Sequence, residues 1–229
     1  MAKRSFPLAK AYTLLEPGPV VLLTTASGGQ TDVMVQSWHL MLEFEPPLVG
    51  CVVSPRNHSY GLLKASRECV INIPSVEIAE QVVACGNASG RNVDKFERFG
   101  LTPVPAKVVG APLIKECFAS LECRVVDTGM VAKYGLFVLE VVKAWMDPAQ
   151  KDARTLHHRG RGRFMVAGET ICRPLKRPLD RSISPRRPRS RKVAFTPTLV
   201  DWPPLASANT YASSCVPSLD QMRSDSSVA

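Results

Sequence analysis

After Cys172 the chain stops resembling a sequence that can fold. From Arg173 it runs Arg-Pro-Leu-Lys-Arg-Pro-Leu-Asp-Arg-Ser-Ile-Ser-Pro-Arg-Arg-Pro-Arg-Ser-Arg-Lys, with neither a helical nor a strand period. Eight of the chain's 19 prolines lie in residues 173–229, and serine is frequent there. Such a segment buries too little apolar surface to offset its chain entropy. It is expected to be a largely disordered basic tail, and the folded domain is expected to span residues 1–172. Charge respects the same boundary. Residues 1–172 carry 19 Lys and Arg against 16 Asp and Glu, while residues 173–229 carry 10 against 4. The net charge of +9 therefore describes the tail more than the domain. The tail could neutralise nucleic-acid phosphates, but solvated charge without a partner is the plainer account; a shifted reading frame or an accidental extension is a third.

Within residues 1–172 the pattern is α+β and mainly antiparallel. Residues 8–15 predict a short amphipathic helix, stopped by Pro17-Gly18. Pro19 to Thr25 is an apolar, β-branched run, and Ser27-Gly28-Gly29 is a hairpin turn signal, so Asp32 to His39 is expected to return as a strand. Further strands are expected over 47–54, 69–73, 119–126 and 135–145, with a short closing strand near Phe164. Short helices are expected over 58–65, 78–84 and 94–99. Many antiparallel strands joined by short helices suggest a closed or nearly closed barrel.

Several chemistries are excluded by what is missing. The chain has no G-x-G-x-x-G after a strand, no P-loop, no G-x-S-x-G elbow and no H-E-x-x-H. The adjacent His157 and His158 would point to opposite faces of a strand, a poor start for a shared metal. The seven cysteines form no C-x-x-C pair and several sit among apolar neighbours, so they read as buried free thiols. No stretch reaches the roughly 20 apolar residues of a bilayer span. The basic start is not followed by an apolar core and a cleavage site, so the protein is expected in the cytoplasm.

The chemistry is concentrated at Val52-Val-Ser-Pro-Arg-Asn-His-Ser-Tyr60, where a buried strand meets Pro55 and a helix begins. Unpaired N–H groups and the positive dipole end of a helix start attract anions. Ser54 and Ser59 add hydroxyls there, with Arg56 and His58 beside them. The competing account is simple capping by Asn57 or Ser59. Farther on, Lys95 could meet a phosphate as a point charge, or be an ordinary solvated helix lysine. Trp38 falls within the expected return strand, where a buried core tryptophan is the bland account.

Six segments in order resemble the flavin reductase-like, FMN-binding split-barrel family, closest to its flavoredoxin-type branch. They are Pro17-Gly-Pro-Val-Val-Leu-Leu-Thr-Thr25, Ser37-Trp-His39, Glu45-Pro-Pro-Leu48, Ser54-Pro-Arg-Asn-His-Ser59, Asn72-Ile-Pro74 and Asp94-Lys-Phe96. The resemblance covers roughly residues 5 to 172 and implies a split β-barrel holding FMN non-covalently. It implies that Asp32 and Trp38 lie near the flavin, that Ser54, His58 and Ser59 wrap the ribityl and phosphate groups, and that Lys95 meets the phosphate. Asp32 stands where relatives often carry asparagine. Tyr134 stands where they often carry histidine; it offers a hydroxyl and a face but not that residue's proton exchange near neutral pH. Phe164 is implied as a further aromatic face. The activity implied is an NAD(P)H-dependent flavin reductase, or alternatively an electron-transfer protein that retains FMN and has no small substrate of its own. A homodimer is implied as well, with free flavin or a redox protein as electron acceptor and no catalytic acid or base demanded.

Overall fold

A computed structural model describes residues 3–8, 19–150, 152–159 and 162–171. The helix expected over 8–15 falls almost wholly outside them, and Cys172 and the tail over 173–229 lie wholly outside.

Strand β1 (Arg4–Phe6) is followed, after the undescribed stretch, by the hairpin of β2 (Val21–Ser27) and β3 (Gln30–Gln36). Gly28 and Gly29 turn that hairpin with φ of +58° and +78°, the mirror-image turn that matches strand twist and suits glycine. The edge strand β4 (His39–Phe44) leads to β5 (Pro47–Val52), and helix α1 (His58–Ser66) follows. Next come β6 (Glu68–Ile73), a single 3-10 turn (Val76–Ile78), α2 (Ala79–Asn87) and α3 (Lys95–Phe99). A two-residue pair, β7 (Pro103–Val104) and β8 (Leu113–Ile114), precedes the long strand β9 (Ala119–Asp127). After α4 (Val131–Tyr134) come β10 (Leu136–Met146) and the small hairpin β11 (Leu156–His158) and β12 (Phe164–Val166).

The main sheet runs β3-β2-β6-β9-β10-β5-β4, with β1 added on β10. All its pairings are antiparallel. Its two end strands, β3 and β4, are consecutive in the chain and joined by Ser37 and Trp38 alone. The sheet must therefore curl until its ends approach, and side-chain and main-chain bonds hold the seam. Gln36 at the end of β3 donates through Nε2 to Trp38 O and to Val52 O of β5. This is a split barrel.

The expected return strand over 32–39 is thus divided in two. Trp38 lies on neither half and is 72% exposed, so it is not the core tryptophan that strand placement suggests. The reason is topological, because the chain has to leave one edge of the sheet and enter the other at that point.

Alternation along β2 separates two cores. Val21 and Leu23 join Val49, Leu63, Ile71, Leu121, Phe137 and Leu139 inside the barrel under α1. Val20 and Leu22 join Val33, Val82, Phe96 and Ile114 on the other face, beneath α2 and α3. Each fully buried aliphatic side chain contributes about 1.5–3 kcal/mol. Cys51, Cys69, Cys85, Cys117 and Cys123 are buried free thiols, as expected; Cys172 and Cys215 lie outside the described residues. Among the described residues no helix is long and apolar enough to cross a membrane.

Candidate functional site at the strand-to-helix corner

Pro55 ends the run of β5, and α1 starts at His58. Neither capping account of this start holds. The Asn57 side chain makes no capping bond and instead donates toward Met34 Sδ at 3.9 Å. Ser59, fully buried, gives its hydroxyl proton to Asp32 Oδ2 at 2.5 Å. Ser54 Oγ accepts from Arg56 N at 3.3 Å, which tightens the turn before the helix. The first-turn amides of α1 therefore lack a side-chain cap, the condition under which a helix start favours an anion.

Lys95 is not a solvated lysine either. Asp94 caps α3 by accepting from the amides of Phe96 and Glu97, which turns the next residue inward. Lys95, 5% exposed, donates to the edge carbonyl Val33 O at 2.7 Å and lies 3.6 Å from Asp32 Oδ1. Asp32 and Thr25 face each other across the β2–β3 hairpin. The Thr25 hydroxyl is buried and makes no hydrogen bond within the described chain. The loop after α2 closes the corner. Gly90 lies so near Asp32 that a Cβ there would collide with Oδ1, and Arg91 Nη1 donates to Arg56 O at 3.1 Å. The Cys85 thiol stands close enough to feel both charges. Burial pushes it up to about 11, with Lys95 pulling it down and Asp32 raising it.

A second group gathers where β5 runs out. Val52 N bonds to Trp38 O at 3.0 Å and Val53 N to Gly135 O at 2.8 Å, so Trp38 and Tyr134 flank the strand end beside Ser54. Both rings are largely exposed. Tyr134 also carries the Lys133 ammonium 5.0 Å from its ring centre.

The structure thus joins Asp32, Ser59 and Lys95 directly. It sets Ser54 and His58 on the same junction, and it brings Trp38 and Tyr134 to its rim. Phe164 is placed elsewhere. Its ring lies 5.1 Å from that of His158, tilted by 46°, and it packs on the second core beneath α2 and α3. Thr25, Cys85 and Gly90 belong to the corner and escape a sequence reading. Thr25 alone had a signal, since counting back from the Gly28-Gly29 turn pairs it with Asp32.

The donor set suits a phosphorylated flavin. It offers hydroxyls, an ammonium and uncapped amides for the phosphate, with two exposed aromatic faces for a ring. Asp32 is the discordant member, an acceptor set among the donors. Among the described residues no His, Cys, Asp or Glu group is arranged to hold a metal.

Comparison with known proteins agrees with this anatomy. Residues 14–165 match the model of the flavin reductase like domain. The uncharacterized protein YddH of Escherichia coli is 33% identical over 178 residues, covering 72% of this chain and 94% of that protein. An uncharacterized protein of Pyrococcus abyssi is 35% identical over 133 residues, covering 58% of this chain and 76% of its own length. Among solved structures, the FMN-binding domain of a flavin reductases-like enzyme from Shewanella baltica superposes with a TM-score of 0.70 at 28% identity, covering 76% of this chain and 98% of that one. Flavoredoxin of Desulfovibrio vulgaris shares the fold, with a TM-score of 0.63 at 22% identity over 69% of this chain and 91% of that one. With residues 14–165 matched and the split barrel shared, this chain belongs to the flavin reductase-like family.

Proposed function

We propose that the protein is an FMN-binding oxidoreductase that accepts electrons from NADH or NADPH and passes them to free flavin or a partner protein. The observation that carries this reading is the convergence of uncapped α1 amides, the Ser54 and Ser59 hydroxyls and the buried Lys95 ammonium at one corner of a chain of this family. FMN bound there would supply the hydride and electron chemistry. Lys95 would meet the phosphate as a point charge, with Ser54, His58, Ser59 and the first turn of α1 around it. Trp38 and Tyr134, exposed at the rim, would contact the ring and leave a face open to a nicotinamide. The five buried free thiols suit a reducing compartment such as the cytoplasm.

Anaerobic addition of NADH or NADPH to the flavin-loaded protein tests the activity. Fast bleaching of the flavin absorbance is expected. Its absence with both donors would favour an electron carrier without a small substrate, and failure to bind FMN at all would end both readings.

The homodimer is part of the same proposal. Edge strand β4 and its lead-in leave Trp38, Leu40 and Leu42 exposed, an apolar row along the end of the sheet. Soluble proteins seldom leave such edges uncovered, and the row begins at the aromatic rim of the site. Sedimentation of the wild type and of Leu42→Glu tests it: a dimer that the charge dissociates is expected, and a monomeric wild type would remove it.

A further inference from the structure

Asp32 stands among donors that the reading above gives to a phosphate. Its carboxylate is buried, accepts the Ser59 hydroxyl and faces the Lys95 ammonium at 3.6 Å. Every element packed around it contributes a neighbour: Ser59 from α1, Lys95 from α3, the Cys85 thiol from α2, Thr25 from β2 and the Gly90 backbone from the covering loop. Of these, Lys95 brings the positive charge. Gly90 blocks one direction of retreat, because nothing larger than its hydrogen fits beside Oδ1. A phosphate and this carboxylate therefore cannot both use Ser59 and Lys95 without repelling each other.

We propose that Asp32 is an internal anion that sets specificity: it occupies the Ser59–Lys95 donors until a phosphate displaces it, so FMN is exchanged rather than kept. The proposal rests on the FMN reading above and deepens it. The carboxylate penalises a phosphate dianion while leaving the ring and ribityl contacts alone, which narrows the preference for FMN over riboflavin. It also keeps the buried lysine compensated when no flavin is present. A site that empties between turnovers needs that; a permanently loaded one does not.

The test titrates FMN and riboflavin separately into the full-length wild type and Asp32→Asn, following flavin fluorescence, with melting temperatures recorded with and without FMN. Asp32→Asn is expected to bind FMN about tenfold more tightly, as removal of a like-charge clash would allow, with riboflavin binding unchanged. Its melting temperature is expected below that of the wild type without FMN and to recover on FMN addition. FMN affinity that is unchanged or weaker in Asp32→Asn, or a parallel shift for both flavins, overturns the proposal. A wild type that binds neither flavin instead sinks the FMN reading beneath it. Should Asp32→Asn fail to fold, Asp32→Ser is read by the same criteria.

Discussion

Glu122 on β9 and Asp32 on β3 are both withdrawn from water, but they are held in different ways. Glu122 is fully buried and accepts four N–H donors: the backbone amides of Lys107, Val108 and Val109 and the indole of Trp145, at 2.6 to 3.2 Å. Three of those donors belong to one continuous stretch of backbone. Glu68 and Arg124 add to the staple, Glu68 accepting Gly110 N and Arg124 donating to Val108 O. Asp32 is held instead by a hydroxyl and an ammonium from two separate helices. Backbone donors that are filled in the folded chain make a permanent fastening. Side-chain donors on independent elements can change partner. The same functional group thus builds a fixed joint on one flank of the barrel and an exchangeable seat at the other.

The largest effect should come from the fixed joint. Glu122→Ala strands three backbone amides and an indole N–H, and is expected to lower stability by about 3–5 kcal/mol in urea unfolding. The folded fraction should bind FMN as the wild type does. A small loss of stability would mean that the 107–109 loop is held by other contacts, and the contrast with Asp32 would collapse.

On the exchangeable side, Lys95→Ala is expected to weaken FMN binding by about 1–2 kcal/mol, the worth of a charge-assisted hydrogen bond. Riboflavin should be far less affected. An unchanged FMN dissociation constant would remove Lys95 from the phosphate.

At the rim, Trp38→Ala should cost about 0.5–1.5 kcal/mol of affinity for FMN and riboflavin alike, since a ring contact ignores the phosphate. Its exposed position should keep the stability change within about 0.5 kcal/mol. Equal loss of stability and affinity would show instead that Trp38 is structural.

The smallest effect concerns His39, which holds β4 to Pro19 O through Nε2 at 2.7 Å while Nδ1 is buried and has no partner among the described residues. Burial depresses its basicity, and the bond to Pro19 offsets this only in part. The unfolded chain then takes up the proton first as pH falls. Stability present above about pH 6.5 is lost on acidification through that value towards the lower folded one. His39→Gln should flatten that part of the pH dependence of the urea midpoint; an unaltered slope would place the titrating group elsewhere.

Much of the barrel could be read residue by residue. The Gly28-Gly29 turn, the β-branched runs of β2, β5 and β6, and the long strands β9 and β10 stand where local pattern puts them. So do α1 and the Asp94-capped α3. In each case the signal lies within ten or so neighbouring residues, and short-range sterics and periodicity decide the outcome. Strand β4 was not legible, because its apolar row faces away from the barrel core and imitates a continuation of β3 or an ordinary loop. In the candidate site, the junction carrying Ser54, His58 and Ser59 and the charge of Lys95 could be read locally, and Thr25 opposite Asp32 from the hairpin turn, while Asp32, Trp38 and Tyr134 joined the set only through family resemblance. The contacts that join Asp32, Ser59 and Lys95 were not legible.

Ser59 and Lys95 each had a bland local account, and only the fold set those accounts aside. It buried Lys95 at the carbonyl of Val33, 62 residues away, and turned Ser59 to Asp32 across 27. Alternation and turn chemistry along the chain were enough to specify the long barrel strands other than β4, the first hairpin and where the foldable part was expected to end. The neighbours of Asp32 depended on how the curled sheet brings β3, α1 and α3 to one corner. No local pattern encodes that, because a buried charge takes its meaning from partners that are distant in the chain.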